Sequence, residues 1–104
     1  MPWNQIYLTI GQALGVKPAL CHIATDDLVA CDPALAGPLW GDKANSVVFD
    51  NTKLKRLAPG YAAEIRFDQG IRTTLAYFAD HPELQKTDPD WDAWTDAVIS
   101  GRSK

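Results

Sequence analysis

The side chains that most often carry out chemistry in proteins are few in this sequence, and their spacing matches no familiar site. The two histidines, His22 and His81, lie far apart, and neither has a nucleophile or a base at a recognisable distance along the chain. Cys21 and Cys31 lack the C-x-x-C spacing of a metal site. We interpret them as small, buried, reduced thiols, with a disulfide between them as the alternative.

Motifs for phosphate and metal binding are also missing. The sequence contains neither G-x-G-x-x-G nor the Walker pattern, so no glycine-rich turn is predicted to hold a nucleotide. The acidic residues near the end follow a helix start without EF-hand spacing, which favours a solvated helix face; they are Asp88, Asp90, Asp92 and Asp96. The residues by themselves therefore predict no catalytic, cofactor-binding or metal-binding site.

The length and composition indicate an ordinary globular protein. With 104 residues, 46% hydrophobic and 22% charged, residues 1–104 are predicted to form a single domain. The formal net charge of −3 argues against nucleic-acid binding, which needs a cationic surplus. No apolar stretch is long enough to cross a membrane, and MPWNQ lacks the features of a secretory signal. We therefore expect a cytoplasmic protein without a membrane partner.

The hydrophobic pattern predicts an α+β fold that is mostly helical, with about five helices and a few short strands. Ile6 and Ile10 begin an apolar helix face, and Gly15 is the expected left-handed stop. Val47–Phe49 and the run ALCHI, residues 19–23, are predicted to be extended. The five helices are predicted over residues 3–14, from Thr25 to near Asp32, from Asp50 to near Pro59, over 67–80, and from Asp88 onward. Ile71 and Leu75 recur at helical spacing in the fourth helix, and Pro89 falls in the first turn of the fifth.

The stretch SVVFDNTKLKRLAPGY, residues 46–61, concentrates the basic residues of the middle of the chain. Asp50 is predicted to cap the following helix, with Phe49 and Leu54 forming a hydrophobic staple. Leu54 and Leu57 are then expected to face inward. Three basic residues fall mainly on the opposite side, which predicts a solvated face rather than a binding surface; they are Lys53, Lys55 and Arg56.

The segment PALAGPLWGDKAN, residues 33–45, is predicted to be a long loop with at most one helical turn, because it contains two prolines and two glycines. Loops of this length in small domains often carry function. Trp40, Asp42 and Lys43 are our candidate substrate-contact residues in this loop. The alternative is a surface loop that is merely tied down.

Three segments together resemble the C-terminal part of extended short-chain dehydrogenases, the NAD-dependent epimerases and dehydratases. They are the ending ALGV of the first helix, the segment LWGDKANSVVFDNTKLKRLAPGY, and the helix FDQGIRTTLAYF. In that family a Gly-Asp loop leads into a strand and then into an Asp-x-x-Lys helix that finishes near an aromatic residue. Here the matching positions are Gly41-Asp42, then Asp50 to Lys53, then Tyr61. The next family helix is matched by Gln69-Gly70-Ile71-Arg72, Thr73-Thr74 and Tyr77-Phe78.

The resemblance implies a substrate-binding part without its catalytic partner. The Tyr-x-x-x-Lys pair of the family is absent, because no lysine lies four residues after Tyr7, Tyr61 or Tyr77. An N-terminal Rossmann domain, binding NAD or NADP, would have to supply the catalytic residues, and no cofactor is expected on this chain alone. Because MPWNQ begins directly at a helix with no strand before it, we expect Met1 to be an introduced boundary rather than the natural start.

One departure from the family bears on the substrate. Nucleotide-sugar members carry an arginine two positions before the Gly-Asp glycine, where it clamps a diphosphate. Leu39 occupies this position here, and Lys43 compensates only as a point charge. This argues against a nucleotide sugar and leaves another small hydroxylated substrate.

Two functions remain open from the sequence. The first is the C-terminal substrate-binding fragment of an NAD(P)-dependent epimerase, dehydratase or related oxidoreductase, inactive alone and able to form a homodimer through the face its missing domain would cover. The second is a non-enzymatic module that binds a protein partner through Trp40, Trp91 and Trp94.

Overall fold

A computed structural model describes residues 1–102 and confirms a mostly helical fold. Within this range the chain forms six α-helical segments. They are α1 (Trp3–Leu14), α2 (Thr25–Cys31), α3 (Ala36–Pro38), α4 (Thr52–Leu57), α5 (Phe67–Asp80) and α6 (Pro89–Arg102). Pro33–Leu35 and Pro82–Leu84 form 3-10 turns, and Leu39–Lys43 form a π-helical turn. The helices of the described part of the chain include none with the length and hydrophobicity that a membrane span needs.

The prediction of a few short strands is wrong for the residues that the structure describes. Val47–Phe49 and residues 19–23 have neither strand nor helical structure. A strand exists only when its backbone N–H and C=O groups pair with a second strand. No described segment offers such a partner, so Val47–Phe49 does not form a strand although its residue types favour one.

Tertiary contacts group the chain into two compact units. The first unit contains residues 1–20 and 52–87, with α1, α4 and α5. The second contains residues 21–51 and 88–102, with α2, α3 and α6. The prediction of a single domain over residues 1–104 is not tested by this grouping and stays a prediction.

In the first unit, α1 packs against α5. The two apolar faces predicted from helical periodicity supply half-buried residues to this unit, among them Ile6 and Ile10 of α1 and Ile71 and Leu75 of α5. Helix α1 ends at Gly15, whose φ of 71° is the left-handed stop predicted from the sequence. The Val16 N–H then donates to the Gly11 carbonyl at 2.9 Å, so the chain turns back over a buried Gly11.

Helix α4 lacks the buried face that its sequence predicted. Leu54 and Leu57 are exposed, and Phe49 is 90% exposed, so the predicted staple between Phe49 and Leu54 is wrong. The three basic residues lie exposed on this helix, as expected for a solvated face; they are Lys53, Lys55 and Arg56. A six-residue helix offers too little apolar area to hold its leucines against a neighbour on its own.

In the second unit, helix ends are fixed by aspartates. The Trp91 N–H donates to Asp88 Oδ1 at 3.1 Å, and Pro89 opens α6, as predicted. The Ala34 N–H donates to Asp32 Oδ1 at 2.9 Å and starts the turn at Pro33. Much of the segment predicted to be a loop, residues 33–45, instead forms successive helical turns. The Asp32 cap and the prolines favour these turns, because proline fixes φ at a value that helical turns share.

Candidate functional site

The three predicted substrate-contact residues lie together in one turn. Trp40, Asp42 and Lys43 all belong to the π-helical turn Leu39–Lys43. The turn is closed by the Ala44 N–H, which donates to the Leu39 carbonyl at 2.8 Å. π-helical turns are rare and occur frequently at functional sites. The position of these residues in such a turn agrees with a functional role without assigning one.

Trp40 is the anchor of this turn. Its indole Nε1–H donates to Asp26 Oδ1 at 2.9 Å, which ties the turn to the first turn of α2. The Trp40 carbonyl accepts from Asn45 Nδ2 at 3.2 Å. Trp40 nevertheless remains 52% exposed, so one part of its ring is held while the rest is open to solvent. A fixed, half-open indole offers a flat apolar contact for a ligand.

Asp26 is a residue whose role the sequence did not indicate. A carboxylate in the first turn of a helix is explained by the helix dipole alone. Its bond to an indole fourteen positions further along the chain arises only from the tertiary structure. Local patterns carry no signal for it.

Asp42 and Lys43 form an ion pair with each other. Their side chains are 62% and 54% exposed, so water competes strongly with the pair. An anionic group of a ligand can therefore displace Asp42 from Lys43 at small cost. The turn can offer one ammonium donor, one carboxylate acceptor and an indole surface.

A second candidate feature is an open cleft within the second unit, with a volume of about 610 Å³. Its lining comes from the segment before α2, from α2 itself and from α6: Ile23, Asp27, Ala30, Cys31, Trp94, Ala97, Val98 and Gly101. The volume falls in the range of small-molecule sites. Most of the lining is apolar, with Asp27 and Cys31 as its polar groups, so it suits an apolar ligand group rather than a phosphate.

The sequence did not indicate this cleft. Trp94 and Val98 lie in α6, and α2 and α6 are separated by more than fifty residues of chain, so no local pattern connects them. Cys21 and Cys31 are both free and both exposed, so the prediction of buried thiols is wrong while that of unpaired thiols is confirmed. The short helix α2 has too few neighbours to cover Cys31.

His81 is held in the first unit at the end of α5. Its ring contacts that of Tyr77 at a tilt of 34°, with centroids 4.2 Å apart, and its Nδ1 lies 2.8 Å from Glu83 Oε1. His81 directly follows the last residue of α5. The side chain, however, reaches forward to a carboxylate in the following 3-10 turn. Across residues 1–102, no three or more His, Cys, Asp or Glu side chains cluster as metal ligands would.

The bond between Trp40 and Asp26 leads to a testable prediction. Trp40→Phe keeps the aromatic ring and removes the donor, so we expect a loss of about 1 kcal/mol in the free energy of unfolding. Asp26→Ala should cost a similar amount, and the double variant should cost little more than either, because the two residues share one interaction. Urea titration followed by circular dichroism measures all three.

Asp42→Ala is the control for that cycle. Its carboxylate pairs with the exposed Lys43, so the expected change is within about 0.5 kcal/mol. If the losses in free energy of unfolding from Trp40→Phe and Asp26→Ala were additive in the double variant, the stabilising bond between Trp40 and Asp26 would be contradicted.

Comparison with known proteins gives no match: no family model, no curated protein and no solved structure is significantly similar to this chain. The resemblance to extended short-chain dehydrogenases therefore stays a prediction.

Proposed function

We propose that this chain is the C-terminal, substrate-binding part of an NAD(P)-dependent epimerase, dehydratase or related oxidoreductase. It is not catalytic alone and acts with an N-terminal Rossmann domain that binds NAD or NADP. The observation that carries the proposal is the very small amount of side-chain burial in the chain. The resemblance of its motifs to the extended short-chain dehydrogenases then identifies the class of the missing partner.

Burial within the described residues is far below that of a self-sufficient domain. Val29, at 8% exposure, is the one hydrophobic residue that counts as buried there. The accessible surface is 8833 Å², whereas a compact monomer of this mass exposes about 5,800 Å². Even two separate compact bodies of the same combined mass would expose about 7,000 Å².

The excess area has the size of a permanent interface. Between about 2,000 and 3,000 Å² of surface is exposed beyond the amount a self-contained chain shows, and each partner of an obligate interface buries about 1,000–2,500 Å² or more. Much of this surface is apolar, including Trp3, Leu14, Leu57 and Ile65. A cofactor domain covering such surface would explain why the chain keeps so little of it inside.

Some of the residues that carry the family resemblance form local hydrogen bonds in α5. Gln69 Oε1 accepts from the Arg66 N–H at 3.1 Å and closes the start of α5. Thr74 Oγ1 donates to the Gly70 carbonyl at 3.2 Å, one turn earlier. These residues act in folding α5, while Trp40, Asp42 and Lys43 would contact the substrate from the turn Leu39–Lys43.

In this proposal the dinucleotide is held by the missing domain and not by this chain. Among the described residues, the one glycine with positive φ is Gly15, and it lies at the C-terminal end of α1. Free carbonyl groups and the negative end of the helix dipole make that end unfavourable for a pyrophosphate, which binds at helix N-termini. Cofactor binding and proton transfer are therefore assigned to the missing domain, and this chain is assigned substrate contacts.

The proposal is tested on the native polypeptide, retrieved from its source cells with an antibody to this chain. We expect a mass well above 11.4 kDa and binding of NADH or NADPH, read as energy transfer from tryptophan to the nicotinamide. The isolated chain should show no such transfer. In the native polypeptide, added NAD⁺ or NADP⁺ should displace the bound NADH or NADPH and reduce the energy transfer. A native polypeptide of 11.4 kDa that binds neither dinucleotide would overturn the proposal.

The alternative function is a protein-interaction module, and one observation favours it. Trp91 and Trp94 stack with ring centroids 5.0 Å apart, and Trp91 remains exposed. Paired tryptophans at a surface are typical anchors of protein interfaces. Because Trp94 also lines the cleft of the second unit, a partner bound there would depend on Trp91 and Trp94 and would need no dinucleotide.

A further inference from the structure

Two helix faces form the walls of the cleft in the second unit. On each helix the lining residues are spaced by three or four positions, which places them on one face; they are Asp27, Ala30 and Cys31 of α2, and Trp94, Ala97 and Val98 of α6. The alanines on both walls take up little room, and the cleft between the helices has a volume of about 610 Å³. The described lining belongs entirely to the second unit.

A carboxylate and an indole are the groups of this lining that attract a charged ligand. Asp27 is exposed on α2, and Trp94 is half-buried on α6. The Trp94 ring stacks on Trp91 with centroids 5.0 Å apart, which restricts the orientation of the indole. A carboxylate attracts a cation by its charge, and the face of an indole attracts it by its quadrupole. Both groups therefore favour a ligand with a positive charge.

The charge of the second unit favours the same class of ligand. Its sequence, residues 21–51 and 88–104, contains nine aspartates, no glutamate and three basic residues, which is a formal charge of −6. The rest of the chain has seven basic and four acidic residues, a formal charge of +3. Of the described residues that line the cleft, Asp27 is charged and none is basic. A field of one sign concentrates counter-ions at a cleft and repels ions of its own sign, so the second unit attracts cations and repels phosphates and carboxylates.

We propose that the cleft of the second unit binds a small organic cation, an ammonium group carried on an apolar or aromatic body. The body packs against Ala30 and Val98, and the ammonium group contacts the Asp27 carboxylate and the Trp94 indole. A carboxylate has about four acceptor sites, so Asp27 can bind the ammonium in addition to its existing partner.

The size of the cleft favours a free small molecule over a side chain of a protein partner. Its volume of about 610 Å³ lies in the middle of the range for small-molecule sites and exceeds what one lysine side chain would fill. The inference goes beyond the proposed function and does not depend on it. The cleft uses none of the three candidate substrate-contact residues, Trp40, Asp42 and Lys43.

Three ligands with one shared apolar body test the requirement for positive charge. Phenylbutylamine is a cation at neutral pH, phenylbutanol is neutral, and phenylbutyrate is an anion. In calorimetric titrations of the native polypeptide, we expect the amine to bind about 10-fold more tightly than the alcohol, and the anion to bind more weakly than both. Absence of amine binding, or equal affinity for the amine and the alcohol, would overturn the proposal.

Alkylation of the two cysteines locates the bound amine. Both thiols are free and exposed, and Cys31 lines the cleft whereas Cys21 is not part of its described lining. At about ten times its Kd the amine leaves about one tenth of the sites empty, so alkylation of Cys31 by iodoacetamide should slow by up to about 10-fold. Alkylation of Cys21 should keep its rate, as measured by peptide mass spectrometry. Equal rates of change at both cysteines would place the amine elsewhere and overturn the proposal.

Asp27→Asn and Asp96→Asn separate a direct contact from a general effect of charge. Each variant removes one negative charge from the second unit, but Asp96 lies on α6 outside the described lining of the cleft. We expect Asp27→Asn to weaken binding of phenylbutylamine about fivefold and to leave phenylbutanol unchanged, whereas Asp96→Asn should change either affinity by less than about twofold. Both residues are exposed, so circular dichroism should be unchanged in both variants. Equal losses in the two variants would overturn the contact with Asp27.

A basic segment of a protein partner is the competing occupant of the cleft. We expect decalysine to leave the alkylation rate of Cys31 unchanged at concentrations where phenylbutylamine slows it. Protection of Cys31 by decalysine below those concentrations would assign the cleft to a protein partner and overturn the small-molecule assignment. A native polypeptide that binds the amine at Cys31 but binds no dinucleotide would refute the proposed function and support this inference.

Discussion

In urea, the isolated chain is expected to unfold over a broad transition with a small m-value. The m-value scales with the surface exposed on unfolding. The folded chain already exposes 8833 Å², so unfolding exposes about 70% of the area that a compact protein of this mass would release. We therefore expect about 70% of the usual m-value, and a free energy of unfolding no greater than about 3–5 kcal/mol.

The same exposure predicts how the isolated chain behaves in solution. Apolar surface that no partner covers should bind 8-anilinonaphthalene-1-sulfonate and favour self-association, which light scattering measures as a rising mass with concentration. The native polypeptide is the control, since its partner domain should suppress both signals. A steep urea transition and a strictly monomeric chain without dye binding would contradict the incomplete-domain interpretation.

Gly11→Val should unfold much of the first unit. A Cβ atom at Gly11 would lie 2.6 Å from Pro18 Cδ and 2.8 Å from the Val16 carbonyl oxygen, closer than real Cβ contacts allow. The Val16 contact involves backbone that is itself hydrogen-bonded to Gly11, so it cannot move away without breaking the end of α1. Overpacking of this kind costs about 3 kcal/mol, which approaches the whole stability of a unit this small.

The expected result for Gly11→Val is a loss of helical circular dichroism and of the urea transition at room temperature. Gly11→Ala should give a smaller loss, because the higher helix propensity of alanine offsets part of the clash. Gly41→Ala is the matched control: a Cβ atom added there would meet no atom within 4 Å, and the φ of Gly41 is not positive. It should change the free energy of unfolding by less than about 0.5 kcal/mol. Similar losses for Gly11→Val and Gly41→Ala would refute the close-packing argument.

The helices could be predicted from the sequence because their signals are local. The periodicity of Ile6 and Ile10 and of Ile71 and Leu75 gave α1 and α5, and Gly15 gave the stop of α1. Aspartate followed by proline gave the start of α6. Capping and periodicity act within one or two turns, so neighbours along the chain are sufficient to determine them.

The strand prediction failed for a reason that local patterns cannot reveal. Val47–Phe49 has the composition of a strand, but a strand depends on a second segment at hydrogen-bonding distance. The prediction that Leu54 and Leu57 of α4 face inward failed for the same reason, because both side chains need an opposing apolar surface to be buried. Local preference states what a segment can form, while its partners decide whether it forms.

For the candidate site, too, the sequence predicted the local arrangement and only tertiary packing decided the contacts between distant residues. The sequence determined that Trp40, Asp42 and Lys43 are close neighbours on a loop-like segment, because three residues within four positions cannot be far apart. Only the tertiary structure decided that Trp40 is tied to Asp26 and that α2 and α6 line one cleft. These contacts join residues at least fourteen positions apart, so they depend on how the helices pack and not on any local preference.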